Sequence, residues 1–332
     1  MNLSRVEQIA KAVLYEGYML YPYRPSSVKN QQRWNFGVLY PQAYSEFQGG
    51  EEPFSMRTEC LICGKDDAIL EVRLRFLHLQ IRSTVHAAEA SPESTPQGWQ
   101  EAVEREVSVR ECTLEELCRD TLTHQFAFAS RTDIARDSDD VPSESVVRRQ
   151  SAVEGTIEIY AERLLDTLFK VTVCIRNLTP LESRAASRDH ALLHSLVSTH
   201  TILEVRSGEF VSLLEPAPEF QGFTAGCQNV GAWPVLVGEP GQRDTLLASP
   251  IILYDYPQIA PESAGDLFDG TEIDEILSLR IMTLTDEEKR EIRQSDERAR
   301  QILERTEAMP AEQFMKLHGA VRGLRPIRED TR

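Results

Sequence analysis

Nowhere in this sequence do apolar residues run uninterrupted for the roughly 18 to 20 positions that a membrane-spanning helix requires. Residues 1–20 also hold no apolar block between a basic start and a small-residue cleavage site. The expectation is a cytoplasmic protein without membrane insertion. Cysteine is sparse, six in 332 residues, too few for a disulfide framework in a chain of this length without an export signal. The six therefore read as reduced thiols. Basic side chains are short as well: 36 Lys and Arg face 53 Asp and Glu, leaving a net charge of −17. So negative a molecule repels phosphate backbones and anionic lipid surfaces, which argues against nucleic acid as a partner. Catalytic signatures are missing too. No Gly-x-Ser-x-Gly elbow occurs and nothing places a nucleophile beside a base. Gly238-Glu-Pro-Gly241 before Arg243 lacks, at Pro240, the donor a phosphate cradle uses, and reads as a hairpin turn. What remains is an ordinary globular composition, 41% hydrophobic and 27% charged, long enough for one sizeable core or two domains.

Patterning supplies the architecture. Leu3, Val6, Ile9, Ala10, Val13 and Leu14 recur at the spacing of one helix face, so a short amphipathic helix opens the chain. Residues 15–25 are rich in Pro, Gly and Tyr and read as extended. Tyr18, Tyr21, Tyr23, Trp34, Phe36 and Tyr40 are too concentrated for a solvated linker and must pack on this chain or on a partner. From Ile69 to Ser83 the period is two: Leu70, Val72, Leu74 and Phe76 alternate with charges, then the apolar phase moves to Leu77, Leu79 and Ile81. That slip predicts a bulge, or a strand passing between sheets. Further strands are expected at 107–110, 125–130, 153–160, 169–177, 201–205, 210–214, 233–237 and 249–254, with 156–163 pairing 168–177. Strands so short and so regularly spaced predict antiparallel sheets packed face to face. Residues 86–100 and 131–144 read as loops. Thr113-x-x-Glu116 predicts a capped helix over 114–120, and another is expected at 187–197. After Pro261 helices follow at 272–282, 286–294 and 296–308, with a fourth opened by Pro310. Ile292, Ile302 and Leu303 are the few apolar residues of the second and third, which should lie across a surface.

Three constellations carry candidate chemistry. Cys60-Leu-Ile-Cys63-Gly64 has the spacing of half a zinc or iron–sulfur knuckle. The competing reading is two small apolar residues at a strand start, with no cofactor. His190 and His194, four apart, would share a helix face and could bind a transition metal, or simply face solvent. The acidic run Asp266, Asp269, Glu272, Asp274 and Glu275 lacks the order of a calcium loop and fits the first turn of a helix. Beside the tyrosines, Arg24, Lys29, Arg33 and Trp34 could clamp an acidic protein partner.

Three segments resemble a known family: 13–30 with 34–41, 227–241 with 248–255, and 266–280 with 282–289. They are similar to a bacterial family of unassigned chemistry encoded in gene clusters of high-affinity uptake [NiFe]-hydrogenases. The likeness covers most of the chain and implies context, not mechanism; no ligand or catalytic residue carries over. The combined expectation is mainly β with added α, an antiparallel β-sandwich-like body with a C-terminal helical arm. Its divisions would be residues 1–58 (helix and aromatic segment), 59–260 (β body), 261–325 (helical module) and 326–332 (tail). The expected role is that of a non-catalytic accessory protein, binding a hydrogenase subunit or maturation factor through Tyr18, Tyr21, Tyr23, Arg24, Arg33 and Trp34. The alternative is a metal-binding or iron–sulfur electron carrier using Cys60 and Cys63.

Overall fold

A computed structural model describes residues 3–16, 35–86, 99–136, 144–258, 281–293 and 297–310. Its frame is one antiparallel sheet of eleven strands built around β1, Ser55–His86. One edge of β1 pairs first with β9 (Val197–Val211) and then with β6 (Glu144–Gln150). The other edge takes β8 (Leu168–Asn177), β3 (Cys112–Thr113) and β2 (Trp99–Ser108) in turn. Beyond these lie β7 (Val153–Leu165) and β4 (Leu122–Phe128) on one side, β11 (Thr245–Ser249) and β10 (Trp233–Leu236) on the other, with β5 (Arg131–Arg136) on β6. The expected pairing of 156–163 with 168–177 is the β7–β8 ladder.

Alternation explains why these segments close into two layers. Met56, Cys60, Ile62, Leu70, Val72, Leu74 and Phe76 share one face of β1 and join Ile157, Ile159, Phe169, Val171, Val173 and Phe210 in the main core. Phe76 meets Phe126 and Phe128 at centroid distances of 6.1 and 5.9 Å. Because β4 lies beyond β8 and β7 in the sheet order, that contact requires the sheet to fold over on itself. Each large side chain so buried is worth about 1.5–3 kcal/mol. At one end α3, Leu114–Arg119, adds Leu114 and Leu117 to this core. The Thr113 capping box holds that helix, with Thr113 Oγ1 accepting from Glu116 N and Glu116 Oε2 accepting from Thr113 N.

The phase slip at Phe76–Leu77 has a different origin from the one expected. The irregularity lies on the partner strand: between Arg75 and Leu77, β9 spends one extra residue and Ser198 takes φ +53°. β1 itself is covered on both faces there. Leu77 and Leu79 enter a second core with Tyr40, Tyr44, Leu192, Val197, Ile281, Ile292 and Leu303. Through those last three residues the helical arm, α6 (Asp286–Arg293) and α7 (Glu297–Glu307), lies against the β body. A third core sits under α1, Leu3–Glu16, where Val6, Ile9, Ala10 and Val13 cover Ile202, Val235, Val237 and Leu247.

Several boundaries differ from expectation. Residues 131–136, read as loop, are β5; its only apolar side chains, Ile134 and Ala135, are both exposed, so an edge strand without a buried face left no alternation to detect. β1 begins at Ser55, so the expected division at 58/59 falls within a strand. The strands expected at 201–205 and 210–214 are one, β9, and the one expected at 249–254 ends at Ser249. The helix expected over 187–197 is α4, Arg188–Leu192, capped by Ser187. The helix at 272–282 lies almost entirely outside the described residues, as do the acidic run, the helix after Pro310 and the tail.

Candidate functional site

All six residues expected to grip a partner, Tyr18, Tyr21, Tyr23, Arg24, Arg33 and Trp34, lie outside the described residues. The end of the aromatic run belongs to this chain's own interior: Tyr40 is buried, stacks on Tyr44 at 5.3 Å, and has the Arg188 guanidinium 5.9 Å from its ring centroid. Burial pushes the Tyr40 hydroxyl far above its ordinary range.

Cys60 and Cys63 stand three apart in one extended strand, and an odd separation sends side chains to opposite faces. Cys60 enters the main core, while Cys63 packs with Leu61, Leu168 and Val211 on the other side of the sheet. In this arrangement the two sulfurs do not face one ion. Burial, with smaller contributions from Cys227 and Glu59, also holds the Cys60 thiol strongly protonated, whereas a metal takes the thiolate. Cys112 is likewise raised, to about 11, chiefly by burial. All six cysteines are free. Among the described residues no group of three His, Cys, Asp or Glu side chains is arranged to hold a metal ion. His190 and His194 do come together, ring centroids 5.1 Å apart. His194 Nδ1 is buried without a partner, and burial followed by His190 lowers its pKa.

The polar constellation with the most unusual chemistry was not singled out by the sequence. Past Phe76, the core-facing side of β1 continues with His78, Gln80 and Arg82. Gln80 lies between Glu101 of β2 and Gln150 of β6, and Phe76 lies opposite Arg105. Glu101 is buried and fully engaged: its Oε2 accepts from Gln80 Nε2 and from Arg148 Nε, both at 2.9 Å, and its Oε1 is 3.7 Å from Arg82 Nε. Gln150 is the hinge of the network. Its Oε1 accepts from Arg105 Nη2 at 2.7 Å and its Nε2 donates to the His78 carbonyl at 3.3 Å. Arg105 lies over the Phe128 ring at 4.8 Å, its Nε buried and without a partner. No carboxylate among the described residues pairs with it. Burial, then Arg131, lowers its pKa.

His78 is fully buried, and neither ring nitrogen makes a hydrogen bond of good geometry. Its pKa is pushed down to about 4, first by burial and then by Arg105; the nearby Ser151 backbone opposes the shift. His194 adds to it from the other side. Arg131, Arg105, His78, His194 and His190 thus form a file of bases, each in electrostatic reach of the next, exposed at both ends and buried at His78. At neutral pH the His78 imidazole is therefore uncharged, whereas the two arginines are charged. One sequence signal marks this arrangement: His78, Gln80 and Arg82 occupy the phase that Leu70 to Phe76 had kept apolar.

No family model matches this chain, and no curated protein does. The segments that carry the resemblance have structural roles where they are described. Val230 forms a bridge with Arg57, and the Asn229 side chain behaves as a strand neighbour, its Oδ1 accepting from Glu59 N at 2.8 Å and its Nδ2 donating to Glu59 O at 3.2 Å. Glu59 Oε2 in turn accepts from Gln228 N at 2.7 Å. Asp255 accepts from Leu236 N and bonds to Ser212 Oγ, closing the outer side of β10. Beside that latch, Ile252 and Tyr254 point outward, 73% and 87% exposed, while Leu253 between them is buried.

Proposed function

We propose that this chain is a non-catalytic accessory protein of a [NiFe]-hydrogenase system, acting by binding a hydrogenase subunit or maturation factor. The resemblance of 13–41, 227–255 and 266–289 supplies the context. The observation that carries the binding reading is the Ile252–Tyr254 projection. Large apolar and aromatic side chains turned outward on either side of a buried Leu253 have the chemistry of interface anchors. Asp255 fixes the backbone beneath them, so little ordering entropy is lost when a partner covers them. The polar network around Glu101 and the buried thiols are engaged in the fold itself.

The test is co-purification from cells expressing the hydrogenase genes, with the wild-type chain and an Ile252→Ser/Tyr254→Ser variant as baits. Recovery of a hydrogenase subunit or maturation factor with the first and its reduction at least tenfold with the second is expected. Equal recovery with both removes the 252–254 surface from the interface, and recovery of no hydrogenase component with the wild type overturns the reading.

A further inference from the structure

We propose that the Arg105 corner of the sheet is a binding site for a carboxylate. The inference starts from charge accounting. Three arginines converge on this part of the β1–β2–β6 junction, and two of them already share an anion: Arg82 and Arg148 both meet Glu101. A fourth, Arg131 on neighbouring β5, pairs with Asp133 at 2.8 Å. Among the described residues Arg105 alone of the four meets no carboxylate and has a neutral acceptor, Gln150 Oε1, and an aromatic face, Phe128. A half-buried guanidinium beside a second cation and without a counterion is unfavourable, and a protein that retains one gains most when an anion arrives.

The surroundings are built for that arrival. Arg105 Nε offers an unused buried donor, and the fully buried His78 ring beside it has two nitrogens lacking well-formed bonds. Gln150 ties the guanidinium to the His78 carbonyl, so the donors are fixed before a ligand binds. One uncompensated positive charge calls for one negative charge on a planar oxygen pair, which is a carboxylate, in preference to the roughly two charges of phosphate at neutral pH. The carboxylate has two possible sources, a free organic acid or an acidic side chain of a partner protein. The site stands whether or not a hydrogenase is that partner.

The experiment is a thermal-unfolding titration of the full chain with sodium acetate, and separately with an acetylated and amidated Gly-Glu-Gly peptide, against sodium chloride of equal ionic strength. A ligand that binds only the folded state raises Tm with the logarithm of its concentration. A rise of about 3 °C or more over the chloride control at saturation is expected for at least one probe. A response to acetate marks a free acid as sufficient, and a response to the peptide alone marks a protein ligand. Arg105→Met keeps the stem over Phe128 and removes the charge. It should abolish the rise, while the Tm without probe falls only by the few degrees expected when Gln150 Oε1 loses its donor. Wild-type curves that coincide with the chloride control overturn the proposal, as does an Arg105→Met chain that still responds.

Discussion

The side chain of Asn177 ties its own strand end to two other segments of the chain. Its Nδ2 donates to the carbonyls of Leu39 and His194, at 2.8 and 2.9 Å, and its Oδ1 accepts from Thr179 N at 3.0 Å, all with the residue fully buried. Asn177→Leu takes this partner from Thr179 N and from the His194 carbonyl, at about 1–3 kcal/mol each, while the Leu39 carbonyl keeps the bond from Leu196 N. A loss of at least about 2 kcal/mol is therefore expected in urea unfolding. His200 gives a pH prediction. Burial first, then Arg75, lowers its pKa to about 4, while the Ser198 carbonyl 3.0 Å from Nδ1 acts in the opposite sense. The unfolded chain binds this proton near pH 6.5 and the folded chain only near 4, so stability falls as pH drops through that window, by up to about 1.4 kcal/mol per unit. His200→Asn, whose amide can still donate to Ser198 O, should flatten this part of a stability–pH profile measured by urea unfolding. An unchanged slope would assign the acid sensitivity elsewhere. Neither role was legible beforehand: the Leu39 carbonyl that Asn177 holds lies 138 residues away, and the burial of His200 depends on strands that pair only in the folded sheet.

At the scale of elements, alternation was a good guide wherever one face is buried. The β7–β8 pair was readable because Ile157, Ile159, Phe169, Val171, Val173 and Ile175 keep strict phase. The α3 cap was readable because a capping box is local. β5 escaped because it has no buried face, and the unity of β9 escaped because Ser207-Gly208 in its middle looks like a break; Ser207 there takes φ +61°. β7 also contains a position that tolerates only glycine. A Cβ on Gly155 would stand 2.4 Å from the Arg176 carbonyl and 2.7 Å from the Phe126 ring, both on neighbouring strands. Gly155→Ala must therefore push β4 and β8 apart, and a loss of about 1–3 kcal/mol is expected. Thr113→Ala, which removes the α3 cap, should cost about 1 kcal/mol. Urea midpoints for the two variants check both numbers.

For the whole molecule, the layered β architecture followed from strand spacing, and the arm from its charge-rich helices. What no local pattern revealed is that the apolar residues of α1, of 38–44 and of α6–α7 are shared with the β body. Among the described residues the arm's buried apolar anchors are Ile281, Ile292 and Leu303, with Leu284 packed beside them, aided within the arm by Glu307 accepting from Lys289 and Arg293. Ile292→Asp/Leu303→Asp should release it, seen as lost amide-exchange protection in α6 and α7 with protection in β7 and β8 retained. Simultaneous loss in both regions would make the arm part of the cooperative unit. The candidate site was hidden for a related reason. Arg105, His78 and Gln150 come from three strands, and only their register against one another brings them together.

The length of β1 has a consequence for how the protein is made. Residues 55–86 leave the ribosome early; β2 can cover one edge of 73–82 once 99–108 emerges, yet 55–63 wait for 168–177 and the other edge of 61–77 waits for 197–211. At about 5–20 residues per second, that wait is on the order of ten seconds. Throughout it an adhesive ribbon carrying Leu70, Val72, Leu74 and Phe76 is exposed to every other nascent chain nearby, so the yield of this protein in a cell should depend on holdase chaperones that shield the ribbon until its neighbours are translated.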